Sequence, residues 1–303
     1  MESQCVGLAE ALGLTPIVKR VKLRSPWRQL TPYFRLGGWA QFASGSDSLA
    51  PPWPDLLIAT GRHSVAASLL VKRLSGGRTR IVQLQNPVIA PAHFDLVVVP
   101  RHDALHGANV VETRGALHRV TPELIAASAA RLAPKVADLK RPYISVLLGG
   151  SNAVYRMGAA DMSALAAQLG QAAREKFASF LITPSRRTGE ENLQILKTAL
   201  AGVPHFLWDG VGDNPYFGLL GLADFIVVTA DSVNMVSEAA STGKPVYVAN
   251  LPGGSEKFAR FHRALRADGV TRPFVGALES YAYKPLDDVA MVAARVRTLL
   301  RGG

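Results

Sequence analysis

Residues 143–152 read Tyr143-Ile144-Ser145-Val146-Leu147-Leu148-Gly149-Gly150-Ser151-Asn152. The first six form an apolar run short enough for one strand buried on both faces, and two glycines with two small hydrogen-bonding residues end it. In parallel α/β sheets a strand that runs into glycines ahead of a helix opens a ligand site, because free amides and the helix dipole favour anions there. Onward from this point, strands at 179–183, 205–208, 224–229 and 245–249 alternate with helices at 159–176, 190–200, 216–222, 232–242 and 256–267, and a last helix runs over 288–300. The alternation predicts α/β architecture, with a six-stranded Rossmann-like sheet in this half.

Upstream the same alternation is looser. Strands are predicted at 16–23, 56–59, 80–84, 96–99 and 110–113, and helices at 4–12 and 64–74. An Ala-rich helix over 121–139, with Pro122 in its first turn and Pro142 beyond its end, is suited to link two domains. The expected division is 1–140 and 141–303. A doubly wound domain ordinarily opens with a strand, whereas this chain opens in a helix. The first strand of the N-terminal domain is therefore expected to be missing, with the apolar side of helix 4–12 poorly covered.

Composition bounds the function. The chain has 303 residues, 48% hydrophobic and 19% charged, which suits two globular domains and not a disordered chain. No apolar run approaches the ~20 residues of a membrane-spanning helix, and the Met1-Glu2-Ser3-Gln4-Cys5 start lacks a secretory h-region. A cytoplasmic protein is expected, with an option of peripheral attachment to the inner membrane. Cys5 is the single cysteine, which excludes an internal disulfide and a multi-thiolate metal site. The net charge is +11, and six cations (Lys19, Arg20, Lys22, Arg24, Arg28, Arg35) stand among Trp27, Tyr33 and Phe34 with no acid between Lys19 and Arg35. That segment is either a solvated surface or a contact with anionic lipid. No helix-turn-helix, RNA-recognition or zinc-finger pattern accompanies it, so no specific nucleic acid is expected.

Four loops in the second half follow strands and carry anion-binding chemistry. Gly149, Gly150, Ser151 and Asn152 form either a structural turn or a phosphate cradle. Ser185, Arg186 and Arg187 follow the 179–183 strand, and a guanidinium grips phosphate oxygens in a fork that Lys cannot copy. Thr229, Asp231 and Ser232 precede a helix and can cap it, and Glu238 lies one to two turns inside, placed to accept from vicinal ribose hydroxyls. The fourth loop runs from Asn250 through Gly253 and Gly254 to Ser255.

Taken in order, the second half resembles the C-terminal domain of GT-B glycosyltransferases of the MurG type. The likeness rests on the Gly149-Gly150-Ser151 loop, the strand at 223–228 and a Ser-Glu-Ala-Ala-x-x-Gly-x-Pro stretch over 237–245. It implies a GT-B-like fold, two Rossmann-like domains with parallel sheets facing a cleft, an acceptor side in 1–140 and a nucleoside diphosphate or nucleotide sugar on 141–303, its ribose on Glu238. Where those enzymes have Ser-Gly, this chain has Thr229-Ala230-Asp231-Ser232.

A likeness over nearly the whole chain is to the mitochondrial fission Elm-type family, as a bacterial member. It is carried by Gly61-Arg62-His63-Ser64-Val65-Ala66-Ala67, Val82-Gln83-Leu84-Gln85-Asn86-Pro87, Phe94-Asp95-Leu96-Val97-Val98-Val99-Pro100, Thr183-Pro184-Ser185-Arg186-Arg187-Thr188 and Asp213-Asn214-Pro215-Tyr216. Family chains tend to begin with a strand and an Asp-Gly-x-x-Gly turn, and the plant relatives are associated with fission machinery. The family is sometimes labelled nucleoside-diphosphate-sugar epimerase, yet this chain has neither a G-x-G-x-x-G fingerprint nor a Tyr-x-x-x-Lys pair, and no cofactor is expected.

His102 and His106 stand at i, i+4 but lack the Glu and third ligand of a zinc helix, and no Asp-x-Asp is present, so no metal is expected. Gly-x-Ser-x-Gly is also absent. If the chain is a transferase, Arg62 and His63 after the 56–59 strand are the candidates for a catalytic group; the other reading is a surface turn. Two function classes stay open: transfer of a sugar from a nucleoside diphosphate, and a GT-B-like scaffold that acts through partners or a membrane.

Overall fold

The computed structural model describes residues 2–33 and 37–301. Two compact units are present, one of Met1–Arg119 with Asp287–Gly303 and one of Val120–Leu286. The expected division near 140 differs from these bounds. Helix α4 (Pro122–Leu132) groups with the second unit, where Leu132 joins Leu181 and Leu219 in one apolar cluster. The final helix, α10 (Asp288–Arg301), groups with the first unit.

The first unit is entered through α1 (Glu2–Ala11) and a short α2 (Trp27–Leu30). Its sheet is β1 (Leu56–Thr60), β2 (Arg80–Leu84), β3 (Leu96–Pro100) and β4 (Val110–Thr113), all parallel in sequence order, with α3 (Val65–Leu74) between β1 and β2. Alternate residues fill opposite faces. Ile81, Val97 and Val99 pack with Val65 of α3, while Val82, Leu84, Leu96 and Val98 pack with Leu8 of α1 and Val292 and Val296 of α10. Helix α1 is therefore well covered, contrary to expectation: α10 returns from the far end of the sequence to bury Leu8 completely.

The strand predicted at 16–23 does not form. Residues 20–24 instead run beside 41–47, with Arg24 N–H donating to Gln41 O (2.9 Å), Ala43 N–H to Lys22 O (2.8 Å) and Arg20 N–H to Asp47 Oδ2 (2.6 Å), around a single antiparallel bridge between Leu23 and Phe42. A β-branched run becomes a strand only where a ladder partner takes its amides. Among the described residues, β1 pairs only with β2; the run bonds to 41–47 instead of to that edge, and Ile17 is left 85% exposed.

The second unit carries β5 (Tyr143–Leu148), α5 (Ala159–Lys176), β6 (Ser179–Pro184), α6 (Glu190–Ala199), β7 (His205–Leu207), α7 (Tyr216–Leu222), β8 (Phe225–Thr229), α8 (Val233–Ala240), β9 (Val246–Ala249), α9 (Glu256–Ala267) and β10 (Thr271–Pro273). All six strands are parallel in the order β10-β9-β8-β5-β6-β7. The chain leaves β5 toward one edge, then returns to lay β8 on its other side, so the topological switch point lies between β5 and β8. Sequence reading missed β10, a three-residue edge strand ending in Pro273. It also ran α4 on to 139, whereas the helix ends at Leu132 and a 3-10 turn covers Ala133–Val136. Pro134 is the reason, since it lacks the amide for the next helical bond and its ring crowds the preceding turn.

Candidate functional site

Four loops leave the carboxyl ends of β5, β6, β8 and β9 in the second unit. Three of them are knit together around Asp231, which follows β8 and is 3% exposed. Its Oδ2 accepts from Gly150 N–H (3.1 Å) and from an Arg187 guanidinium nitrogen (2.7 Å). Its Oδ1 accepts from Thr229 Oγ1 (2.6 Å), whose oxygen in turn accepts from Gly149 N–H (2.8 Å). Asn152 Nδ2 donates to the Asp231 carbonyl (3.2 Å), and Ser185 Oγ donates to Gly149 O (2.8 Å). Ser151 Oγ accepts from Met157 N–H (3.0 Å). The sequence brought these residues to one crevice without revealing that Asp231 sits at its centre.

Helix α8 starts beside this cluster, capped by Ser232 Oγ accepting from Met235 N–H (3.3 Å). Glu238, in the middle of α8, accepts a 2.6 Å hydrogen bond from the Tyr216 hydroxyl at the start of α7. Burial pushes the Glu238 carboxyl up to about 7, against a smaller opposing pull from the Tyr216 hydrogen bond. Burial, and then the neighbouring carboxylate, hold the Tyr216 phenol well above its usual range, so it stays a donor. Tyr216 belongs to the Asp213-Asn214-Pro215-Tyr216 segment, but nothing in its spacing announced Glu238 as its partner.

Arg186 and Arg187 diverge. Arg187 is tied to Asp231, while the exposed Arg186 side chain extends from the loop after β6. Ser255 precedes α9 and lines a cavity of about 570 Å³ shared with Tyr155, Asn250, His262, Arg263 and Arg266. His262 was missed by sequence reading. Its Nε2 lies 2.9 Å from Ala230 O, which makes that nitrogen the donor, and its Nδ1 is buried without a hydrogen-bond partner. Burial is the main reason its pKa falls below the ordinary histidine value.

The remaining predicted groups lie in the first unit. Arg62 and His63 occupy an exposed 3-10 turn after β1, and partial burial, then Arg62, lower the His63 pKa. His106 Nδ1 is 2.6 Å from Glu112 Oε1, and His102 is buried. Among the described residues no cluster of three metal-ligating side chains occurs, and no helix is long and apolar enough to cross a membrane. Of the predicted lipid-facing segment, Arg35 and Phe34 lie outside the described residues; the rest exposes Leu30 and Tyr33 beside Arg24 and Arg28.

Comparison with solved structures shows the fold. UDP-GlcNAc 2-epimerase from Methanocaldococcus jannaschii, in a complex with UDP-GlcNAc and UDP, matches with a TM-score of 0.51 at 12% identity over 82% of this chain and 76% of that one. The chain thus shares the GT-B-type α/β fold of parallel sheets. Among sequences, the Arabidopsis thaliana mitochondrial fission protein ELM1 is 34% identical over 274 residues, 80% of this chain and 63% of the plant protein, so the chain spans less than two thirds of that relative. The Rickettsia prowazekii protein RP120 is 27% identical over 291 residues, 82% of this chain and 80% of its own length. A family model for mitochondrial fission ELM1 matches residues 1–300, and the chain belongs to that family.

Proposed function

We propose that the second unit binds a nucleoside diphosphate or its sugar conjugate at the β5/β8 switch point. The phosphates meet the turn of Gly149, Gly150, Ser151 and Asn152 together with Arg186, and the ribose meets Glu238. Ser185, Arg187, Thr229, Asp231 and Ser232 order the crevice, and the cavity at Ser255 leaves room for a group carried by the nucleotide. One observation carries the reading: a carboxyl group held by a tyrosine hydroxyl stands on α8, whose start lies beside the glycine turn through the Gly149 N–H to Thr229 Oγ1 bond. That is the pairing of ribose acceptor and phosphate donors a nucleotide needs. The complex of the Methanocaldococcus jannaschii epimerase with UDP-GlcNAc and UDP supports the ligand class.

The activity we propose is metal-independent glycosyl transfer to a cell-envelope or other acceptor, with Arg62 or His63 of the first unit as the reacting group. The same fold serves a 2-epimerase, so the fold does not separate transfer from epimerisation. Calorimetric titration with UDP, GDP, ADP and TDP tests the binding step. Absence of binding by all four in the millimolar range removes it.

A second reading has its own support. The chain carries no acid from Ala11 through Ser46, and within that stretch Ile17, Leu30, Tyr33 and Trp39 are exposed among five described cations. This is the chemistry of a peripheral contact with an anionic membrane, compatible with a scaffold of the fission-factor type.

A further inference from the structure

The donors that a phosphate would use at the glycine turn are already engaged by a carboxylate. Gly150 N–H, the Thr229 hydroxyl and the Arg187 guanidinium all point at Asp231, whose side chain has no exposed surface. A backbone amide, a hydroxyl and a guanidinium converging on one anion are the usual fittings of a phosphate site. Gly149 fits the same account. A Cβ there would overlap the Asp231 carboxylate, so the absent side chain admits the protein's own anion.

We propose that Asp231 is an internal stand-in for a ligand phosphate, so that a phosphate reaches this turn only by displacing it. Asp231 thereby sets the ligand preference of the crevice, weakening every ligand that must lay a diphosphate on Gly149 and Gly150. A nucleotide that leaves the turn alone and uses Arg186 and Glu238 is not weakened. The identity of the ligand rests on the nucleotide reading above; the competition between carboxylate and phosphate does not.

The explanation of Asp231 as a plain helix cap is weaker. Ser232 already supplies the side-chain cap of α8, and the Asp231 carboxylate turns away from that helix toward β5 and β6. A loop tie alone also does not call for a guanidinium, a hydroxyl and an amide on one carboxylate.

The test is calorimetric titration of inorganic diphosphate, UDP and uridine into the full chain and into Asp231→Asn and Asp231→Ser, with thermal unfolding of each as a folding check. The expected result is at least tenfold tighter binding of inorganic diphosphate and UDP by both variants, with uridine unchanged. Tightening for inorganic diphosphate with no added affinity for UDP would support the stand-in while removing the nucleotide reading. Equal or weaker diphosphate binding by a folded variant overturns the proposal. Failure of both variants to fold overturns it as well, since the carboxylate would then be a structural fixture.

Discussion

The Tyr216 hydroxyl donates to Glu238 Oε2 at 2.6 Å and keeps a half-buried carboxyl group partnered in mid-helix. Burial raises the Glu238 pKa from 4.5 to about 7, so the folded protein holds a proton there that the unfolded chain releases near 4.5. The folded state then binds more protons between these values, and its stability falls as pH rises from about 4.5 to 7. At ~1.4 kcal/mol per pKa unit the loss is on the order of 3 kcal/mol at this site. Chemical denaturation of wild type and Glu238→Gln across that range is expected to show this loss in the difference between the two, since the variant keeps every other titrating group.

On the proposed ribose assignment, the same titration sets the pH dependence of ribonucleotide binding. An ionised Glu238 accepts from two hydroxyls, whereas a protonated one accepts poorly, so ribonucleotide affinity is expected to rise with pH through about 7. Glu238→Ala should weaken ribonucleotides more than inorganic diphosphate. Equal loss for both probes in calorimetry would remove the ribose assignment.

Adjacent arginines should separate binding from stability. Arg186 is exposed, so Arg186→Ala is expected to leave the melting temperature unchanged while weakening nucleotide at least tenfold, equivalent to the ~1.5–3 kcal/mol of a charge-assisted contact. Arg187→Ala leaves the buried Asp231 carboxylate without its counter-charge. Because Arg187 is itself 41% exposed, the expected cost is ~1–3 kcal/mol, below that of a fully buried pair. Thermal unfolding and titration of the two variants check the contrast.

The fold was legible where burial on both faces and punctuation agree. Runs such as 143–148, apolar but for Ser145, and 225–228, apolar throughout, end at glycine or a cap, so strand, turn and helix follow directly. Residues 16–23 look similar but fail, because a strand is decided by its neighbour and the neighbour is not written in the run. The crevice was legible as four loops at strand ends. Its internal wiring was not, since Asp231 meets Arg187 across 44 residues and Gly150 across 81, pairings that only the sheet order β8-β5-β6 creates. The Tyr216–Glu238 bond and the buried His262 were hidden for the same reason.

The basic segment 19–33, with the uncharged residues 37–46 beyond it, predicts binding to anionic vesicles. Each Lys or Arg near such a surface contributes ~1 kcal/mol, so Arg24→Glu with Arg28→Glu should lower partitioning by well over tenfold. Added salt should weaken the wild type similarly, because the exposed charges are screened. Co-sedimentation with vesicles of anionic and of purely zwitterionic lipid is the measurement. Equal binding to both would remove the electrostatic contact.

In the first unit, His118 predicts the opposite pH response from Glu238. Gly7 lets α1 close onto the backbone at His118, where a Cβ would overlap the His118 carbonyl, and the imidazole is left 4% exposed with neither ring nitrogen hydrogen-bonded. Burial lowers its pKa from 6.5 to about 4, outweighing the attraction of Asp287. The unfolded chain therefore binds the extra proton between about 6.5 and 4, and stability falls as pH falls through that window. The shift corresponds to on the order of 3 kcal/mol. His118→Leu removes both the titration and two unsatisfied polar atoms at comparable volume, so this variant should be more stable than wild type at pH ~5 and lose the acid slope of the first unit. Denaturant unfolding followed at pH ~5 and ~7.5 decides it, and an unchanged acid slope in the variant would show that another group carries the response.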